Sequence, residues 1–180
     1  MKQWLIFTTA LLFSVVSSPL FAQDDKFIED YLERFENSRK YLILVAETMP
    51  ENHYNFKATP ESLSFAENLM HIGFAVDWHS QSLLGNRESR VWQTDTVYKV
   101  AHKTKKEMIT TINNTFDEAV TLIKHFDTNQ FNDELDYFGL TRSKRQIFLL
   151  LADHITHHRG QMLVYMRLNG LVPPRYVRFQ

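Results

Sequence analysis

The sequence predicts an all-α fold, a four-helix bundle, on three observations. Apolar residues recur at three- and four-residue spacing along four long stretches, the period of helices that each bury one stripe. Gly and Pro number only five each, too few for a loop-rich chain. No stretch alternates apolar and polar residues for long enough to argue a sheet. The 180 residues suit one domain. With 44% hydrophobic and 23% charged residues the chain is too apolar for disorder. Aromatic residues make up 13%, enough to fill a core without cross-links. There is no cysteine, which excludes disulfides, thiolate metal ligands and Cys nucleophiles. The net charge of −1 offers no footprint for nucleic acid. The basic run "HKTKKE" at 102–107 reads as a solvated helix face.

Residues 1–22, "MKQWLIFTTALLFSVVSSPLFA", read as a secretory signal peptide and not as fold. Lys2 precedes an apolar run from Trp4 to Val16, and Ser17, Ser18 and Pro19 follow it. That run is short of the roughly 20 residues of a membrane span. Cleavage is placed after Ala22, although Leu20 is a poor residue at the −3 position. The mature chain, residues 23–180, is then a single domain exported to the periplasm or the medium; an uncleaved anchor is the alternative.

The first helix is expected over 24–48. Asp24 or Asp25 caps it, and Phe27, Ile28, Tyr31, Leu32, Phe35, Leu42 and Val45 form its buried stripe. "MPENHYNFKATPES" is a loop whose Tyr54 and Phe56 pack on the body. The second helix covers 62–84, with Ser64 and Glu67 as a capping box and Gly85-Asn86 as its end. A polar connection, "NRESRVWQTD", leads to a third helix from Thr94 or Thr96 to Phe126, weakened at Asn113-Asn114. Residues 127–140 form another loop. The fourth helix starts at Thr141 as N-cap and runs to Leu168, where Asn169-Gly170 and Pro173-Pro174 stop it.

The chemistry is concentrated in "LADHITHHRGQM", residues 151–162. Successive helical residues turn by about 100°. His154 and His158 therefore share one face, one turn apart, where two imidazoles can reach a single ion. Ile147 and Leu151 extend that stripe upstream, and Gln161 and Tyr165 continue it downstream, where Gln161 is a candidate to orient a ligand and Tyr165 and His157 are candidates to line the pocket. It is the inward face, turning polar at the histidines. His157 points to one side, and Arg159 falls off the stripe, where a structural ion pair suits it. A third ligand must come from another helix. His71, among Leu69, Ile72, Phe74 and Ala75, is the choice, with Trp78 as a wall of the site. His79 competes, but it is rotated about 80° from His71 in an ideal helix. His53, His102 and His125 read as surface. Ile155 stands where a zinc protease of the His-Glu-x-x-His type has its Glu, so that chemistry is excluded. Neither a nucleophilic Ser elbow nor a Gly-rich phosphate loop is present.

"DHITHHRGQMLVYMRLNGLVPP" resembles the C-terminal motif of the DinB / YfiT-like family, a His-x-x-x-His pair running into His-Arg-Gly-Gln and later Gly-x-x-Pro-Pro. "SLSFAENLMHIGFA" resembles that family's second helix, with one His after a Ser-Phe and an acidic residue. The resemblance spans the mature chain. It implies a bundle of up-down-down-up connectivity with one long crossover. It also implies a divalent metal on three histidines, here His71, His154 and His158. Zinc and nickel both accept imidazole. Three protein ligands leave positions for water or a small-molecule substrate. The resemblance implies a metal-dependent hydrolase or a thiol-dependent transferase or isomerase; an export signal argues against the second, since low-molecular-weight thiols belong to the reducing cytoplasm. Two other readings stand beside these. One is a non-catalytic module that sequesters metal or ligand. The other is a structural bundle that forms a homodimer through apolar helix faces.

Overall fold

The computed structural model describes residues 19–179, with side chains from residue 23 onward. The signal peptide expected over 1–22, with its cleavage point, lies outside the described residues apart from the backbone of 19–22. Four helices dominate: α1 (Pro19–Thr48), α2 (Phe65–Asp77), α3 (Lys105–Lys124) and α4 (Lys144–Leu168). α2 continues as wider π-helical turns over Trp78–Leu84. A hairpin of β1 (Glu134–Tyr137) and β2 (Leu140–Ser143) precedes α4, and short 3-10 turns lie at Glu51–His53, Thr128–Asn132 and Tyr176–Phe179.

Contacts along the helices give their directions. Arg39 of α1 bonds Asn113 of α3 at 3.1 Å, and Lys105 reaches back to the Glu47 carbonyl at 2.7 Å, so α1 and α3 are antiparallel. Ile112 packs closely on Gly73 and Leu122 on Gly85, so α2 and α3 run the same way. Asn68 faces His158, whereas His79 lies beside His154, so α2 and α4 are antiparallel. The connectivity is up-down-down-up, and residues 85–104 are the long crossover between the parallel pair. The core is aromatic along α1: Phe35 packs on Phe116 with ring centroids 4.7 Å apart, and Tyr31 meets Phe148 edge-on at 4.9 Å.

Three of the four helices start at a capping box, in which a hydroxyl and a Glu or Gln three residues on satisfy each other's free amides. Ser64–Glu67 opens α2 as the sequence implies; Thr104–Glu107 opens α3 and Ser143–Gln146 opens α4. The last two correct the expected starts. α3 does not begin at Thr94 or Thr96, because buried Asp95 takes the Tyr98 amide at 2.6 Å and His102 sits at φ 64, a left-handed residue no helix tolerates. Val97 and Val100, which fit the helical period, are packed on the core from a loop instead. α4 does not begin at Thr141, because Thr141 pairs with Asp136 in the hairpin. Strands of four residues are too short for alternation to show. The hairpin turns on Phe138 and Gly139, at φ 56 and 79, the two left-handed residues of a type I′ turn. At the other end, Asp24 does not cap α1, which starts earlier; its carboxylate pairs with Arg145 of α4. Asn113-Asn114 leaves α3 unbroken, and the Asn113 side-chain oxygen Oδ1 accepts from Arg39.

Candidate metal centre

The inward stripe of α4 is Ile147 and Leu151, both fully buried, then His154 and His158. Facing it, α2 presents His71. The three rings form a triangle with centroids 4.5 to 5.1 Å apart. One ring nitrogen from each lies within 4.8 Å of the other two, so a single ion could be held by all three.

Each imidazole is prepared differently. His158 Nδ1 lies 2.9 Å from the Asn68 carbonyl oxygen. The Asn68 amide nitrogen is committed to donating to the Leu63 and Ser64 carbonyls, so its oxygen must be the group facing His158. His158 therefore carries its proton on Nδ1, and Nε2 keeps the lone pair a metal requires. His154 Nε2 is buried and has no hydrogen-bond partner among the described residues. Such a group costs about 1–3 kcal/mol unless something satisfies it, and a divalent cation fits that requirement. The donor set, three imidazoles with no thiolate, suits a first-row transition metal ion.

Electrostatics point the same way. Burial, and then the neighbouring histidines, push His154 down to about 3. Burial, then His71 and His157, push His158 down to about 4. His71 is lowered as well, again chiefly by burial. All three are therefore neutral at pH 7, the form that binds metal, and a cluster of imidazolium ions is avoided.

The other histidines and pocket candidates separate clearly. His79 is buried, but both its nitrogens are used: Nδ1–H donates to the Ala75 carbonyl at 2.7 Å, and Nε2 accepts from the Tyr137 hydroxyl at 3.0 Å. Burial holds it at about 4. It is a neutral neighbour of His154, not one of the converging three. His157 is exposed; its Nε2 accepts from the Gln161 amide at 3.1 Å, which turns Gln161 away from the triangle. The Tyr165 hydroxyl donates to the Leu63 carbonyl at 2.9 Å and anchors the chain entering α2. Trp78 lies against His79, with ring centroids 4.9 Å apart. It stacks on Tyr137 at 5.5 Å and donates to Ser89. Arg159 is buried without a carboxylate partner: it donates to the Ser38 hydroxyl and lies 5.2 and 5.6 Å from the ring centroids of Tyr41 and Tyr176, so the expected ion pair is absent among the described residues.

The wall is Trp92, edge-on to His71 at 5.5 Å and capped by Lys99 Nζ 3.8 Å from its ring. Its loop is tied down by Asp77, 1% exposed, which draws in Arg87 and Arg90; Arg90 also reaches Asp95. Sequence reasoning missed Asn68, Trp92 and Tyr137. Asn68 left a signal: an amide three residues before His71, on the same face of an apolar helix. Trp92, a lone large aromatic in a polar connection, left another.

Four helices with a three-histidine cluster between α2 and α4 define a bundle built around a candidate metal centre. A model of the DinB family matches residues 22–178, and the chain belongs to that family. It is 25% identical over 146 residues to the uncharacterized protein YjoA of Bacillus subtilis strain 168, a match spanning 77% of this chain and 88% of that protein. The crystal structure of YjoA, a DinB-like protein, superposes with a TM-score of 0.65 at 23% identity, covering 82% of this chain and 96% of the other. A DinB-like protein from Bacillus cereus ATCC 10987 gives a TM-score of 0.61 at 22% identity, with 83% and 94% covered. These structures share the fold.

Proposed function

We propose that the protein is an exported metal-dependent enzyme, a hydrolase acting on a small molecule, with a zinc or nickel ion held by His71, His154 and His158. The observation that carries this reading is the convergence of three neutral imidazoles, one with a buried nitrogen that has no other partner among the described residues. Three ligands leave coordination positions open, which distinguishes a catalytic site from a closed structural one. A divalent ion in this position supplies Lewis acidity and a nucleophile from water at neutral pH. The chain's own residues do the rest. Asn68 sets the His158 tautomer, so the lone pair faces inward. Trp92 and Phe74, 4.8 Å apart, shield the His71 side from bulk water. The Tyr137 hydroxyl and His79 form a neutral hydrogen-bonded pair beside His154 that can orient a polar group of a bound molecule. Export rests on the signal-peptide pattern of residues 1–22.

The test is metal analysis of purified protein, followed by hydrolase screening with ester, amide and phosphoester substrates. One equivalent of metal is expected, lost in His71→Ala and in His158→Ala together with any hydrolytic activity. Stoichiometric metal that survives both substitutions would sink the assignment. Bound metal with every coordination position filled by protein would favour a sequestering module.

A further inference from the structure

A cavity of about 440 Å³ opens between α1 and α4, on the side of α4 away from the three histidines. This lies within the roughly 300–1,000 Å³ typical of small-molecule sites. Its most unusual wall is Arg159, 4% exposed. Buried charges are normally paired with an opposite charge. Among the described residues no carboxylate lies within ion-pair distance of this guanidinium. Its hydrogen-bonding partners are neutral, the carbonyl and hydroxyl of Ser38 and the Tyr176 side chain, and it rests against the rings of Tyr41 and Tyr176. Tyr31 lines the same cavity, and its buried hydroxyl has no partner among the described residues. A second cation, Arg34, stands at the exposed rim, close enough to repel Arg159.

Two independent groups thus ask for an acceptor: a buried cation without an anion, and a buried hydroxyl without a hydrogen-bond partner. The remaining walls narrow the ligand. Phe35, Ile155 and Phe179 are apolar. Asp30 and Glu33 also border the mouth; Asp30 is drawn to Lys26 at 2.7 Å, whereas Glu33 is exposed. Their negative charges disfavour a dianion such as phosphate and leave a monoanion acceptable.

We propose that this cavity binds a small monocarboxylate with an apolar body, its carboxylate on Arg159 and Arg34 and its body against Phe35, Ile155 and Phe179. A carboxylate accepts two parallel bonds from a guanidinium fork, which a neutral amide cannot match. The site is separate from the histidine cluster, so it stands or falls independently of the metal reading.

Calorimetric titration of the purified protein, stripped of metal with EDTA, tests this with benzoate and phenylacetate against benzamide and inorganic phosphate. The two carboxylates are expected to bind saturably, and benzamide and phosphate are not. Arg34→Gln, an exposed substitution that leaves folding intact, is expected to weaken carboxylate binding roughly 5-fold, the scale of one solvated charge pair. Arg159→Gln is expected to abolish it, with a thermal melt showing that the variant is folded. Three outcomes overturn the proposal: no saturable binding of either carboxylate, equal binding of the amide, or binding unchanged by Arg34→Gln.

Discussion

Replacing Asn68 by Leu isolates the support of one metal ligand from the ligand itself. Asn68 is fully buried and makes three side-chain hydrogen bonds. Two of them go to carbonyls that keep other donors after the change. The Leu63 carbonyl also accepts from the Tyr165 hydroxyl at 2.9 Å, and the Ser64 carbonyl accepts from the backbone amide of residue 68 at 2.9 Å. Only the His158 Nδ1–H is left unpaired, at a cost of about 1–3 kcal/mol. Leu has as many side-chain heavy atoms as Asn in the same branched arrangement, so no cavity forms. The imidazole is then free to rotate or to take the other tautomer. Loss of such a supporting contact typically lowers metal affinity about 10- to 100-fold. Competition against a chromogenic chelator, with zinc and with nickel, would read this directly, and a urea titration of the metal-free protein would give the stability cost. The outcome that refutes the reasoning is Asn68→Leu protein that is folded and binds metal as tightly as the unmodified chain, while His158→Ala does not bind.

Other expectations follow from the same contacts. Metal-free protein should lose stability as pH falls from 7 to 5. The unfolded chain takes up protons on His79, His154 and His158 near pH 6.5, whereas the folded chain resists until about 4, 3 and 4 respectively. Their contribution is complete above pH 6.5 and declines toward pH 4, with a slope of up to about 1 kcal/mol per pH unit for each group. Urea midpoints at pH 7, 6 and 5 measure it, and a flat profile would contradict the assignment of neutral buried imidazoles. Gly73→Ala should destabilise by about 1–3 kcal/mol: its new methyl would lie 2.6 Å from Ile112 Cδ1 and 2.9 Å from a Tyr98 ring pinned by Thr115. Chemical denaturation tests that, and an unchanged midpoint would mean that α2 and α3 can separate cheaply. Asp77→Asn should loosen the 85–104 crossover, because Arg87 and Arg90 lose their shared anion. Faster proteolysis within that segment and altered tryptophan fluorescence from Trp92 are the expected readouts.

Helical period and helix caps are local properties, written in the spacing of neighbouring residues. They were sufficient to predict an all-α bundle, the opening of α2 at Ser64 and the phase that sets His154 and His158 on one face of α4. His71 could be nominated from its apolar surroundings and from the resemblance in its helix. The boundaries that failed did so for a physical reason. At 94–104 a helical pattern of apolar residues is buried by a loop, because Asp95 captures a backbone amide and the Asp77 carboxylate gathers two arginines from the crossover. At 134–143 two strands are too short to display a period. The partners of the imidazoles were beyond local reasoning altogether: Asn68 meets His158 across 90 positions of sequence, and Tyr137 meets His79 across 58. Trp92 stands edge-on to His71 because the crossover folds back over α2, while Trp78 stacks on Tyr137 of the hairpin. The sequence by itself determined which residues could serve as ligands. Only the packing of α2 against α4 decided which of them meet, since convergence depends on the distance between helices, and no periodicity within one helix encodes that distance.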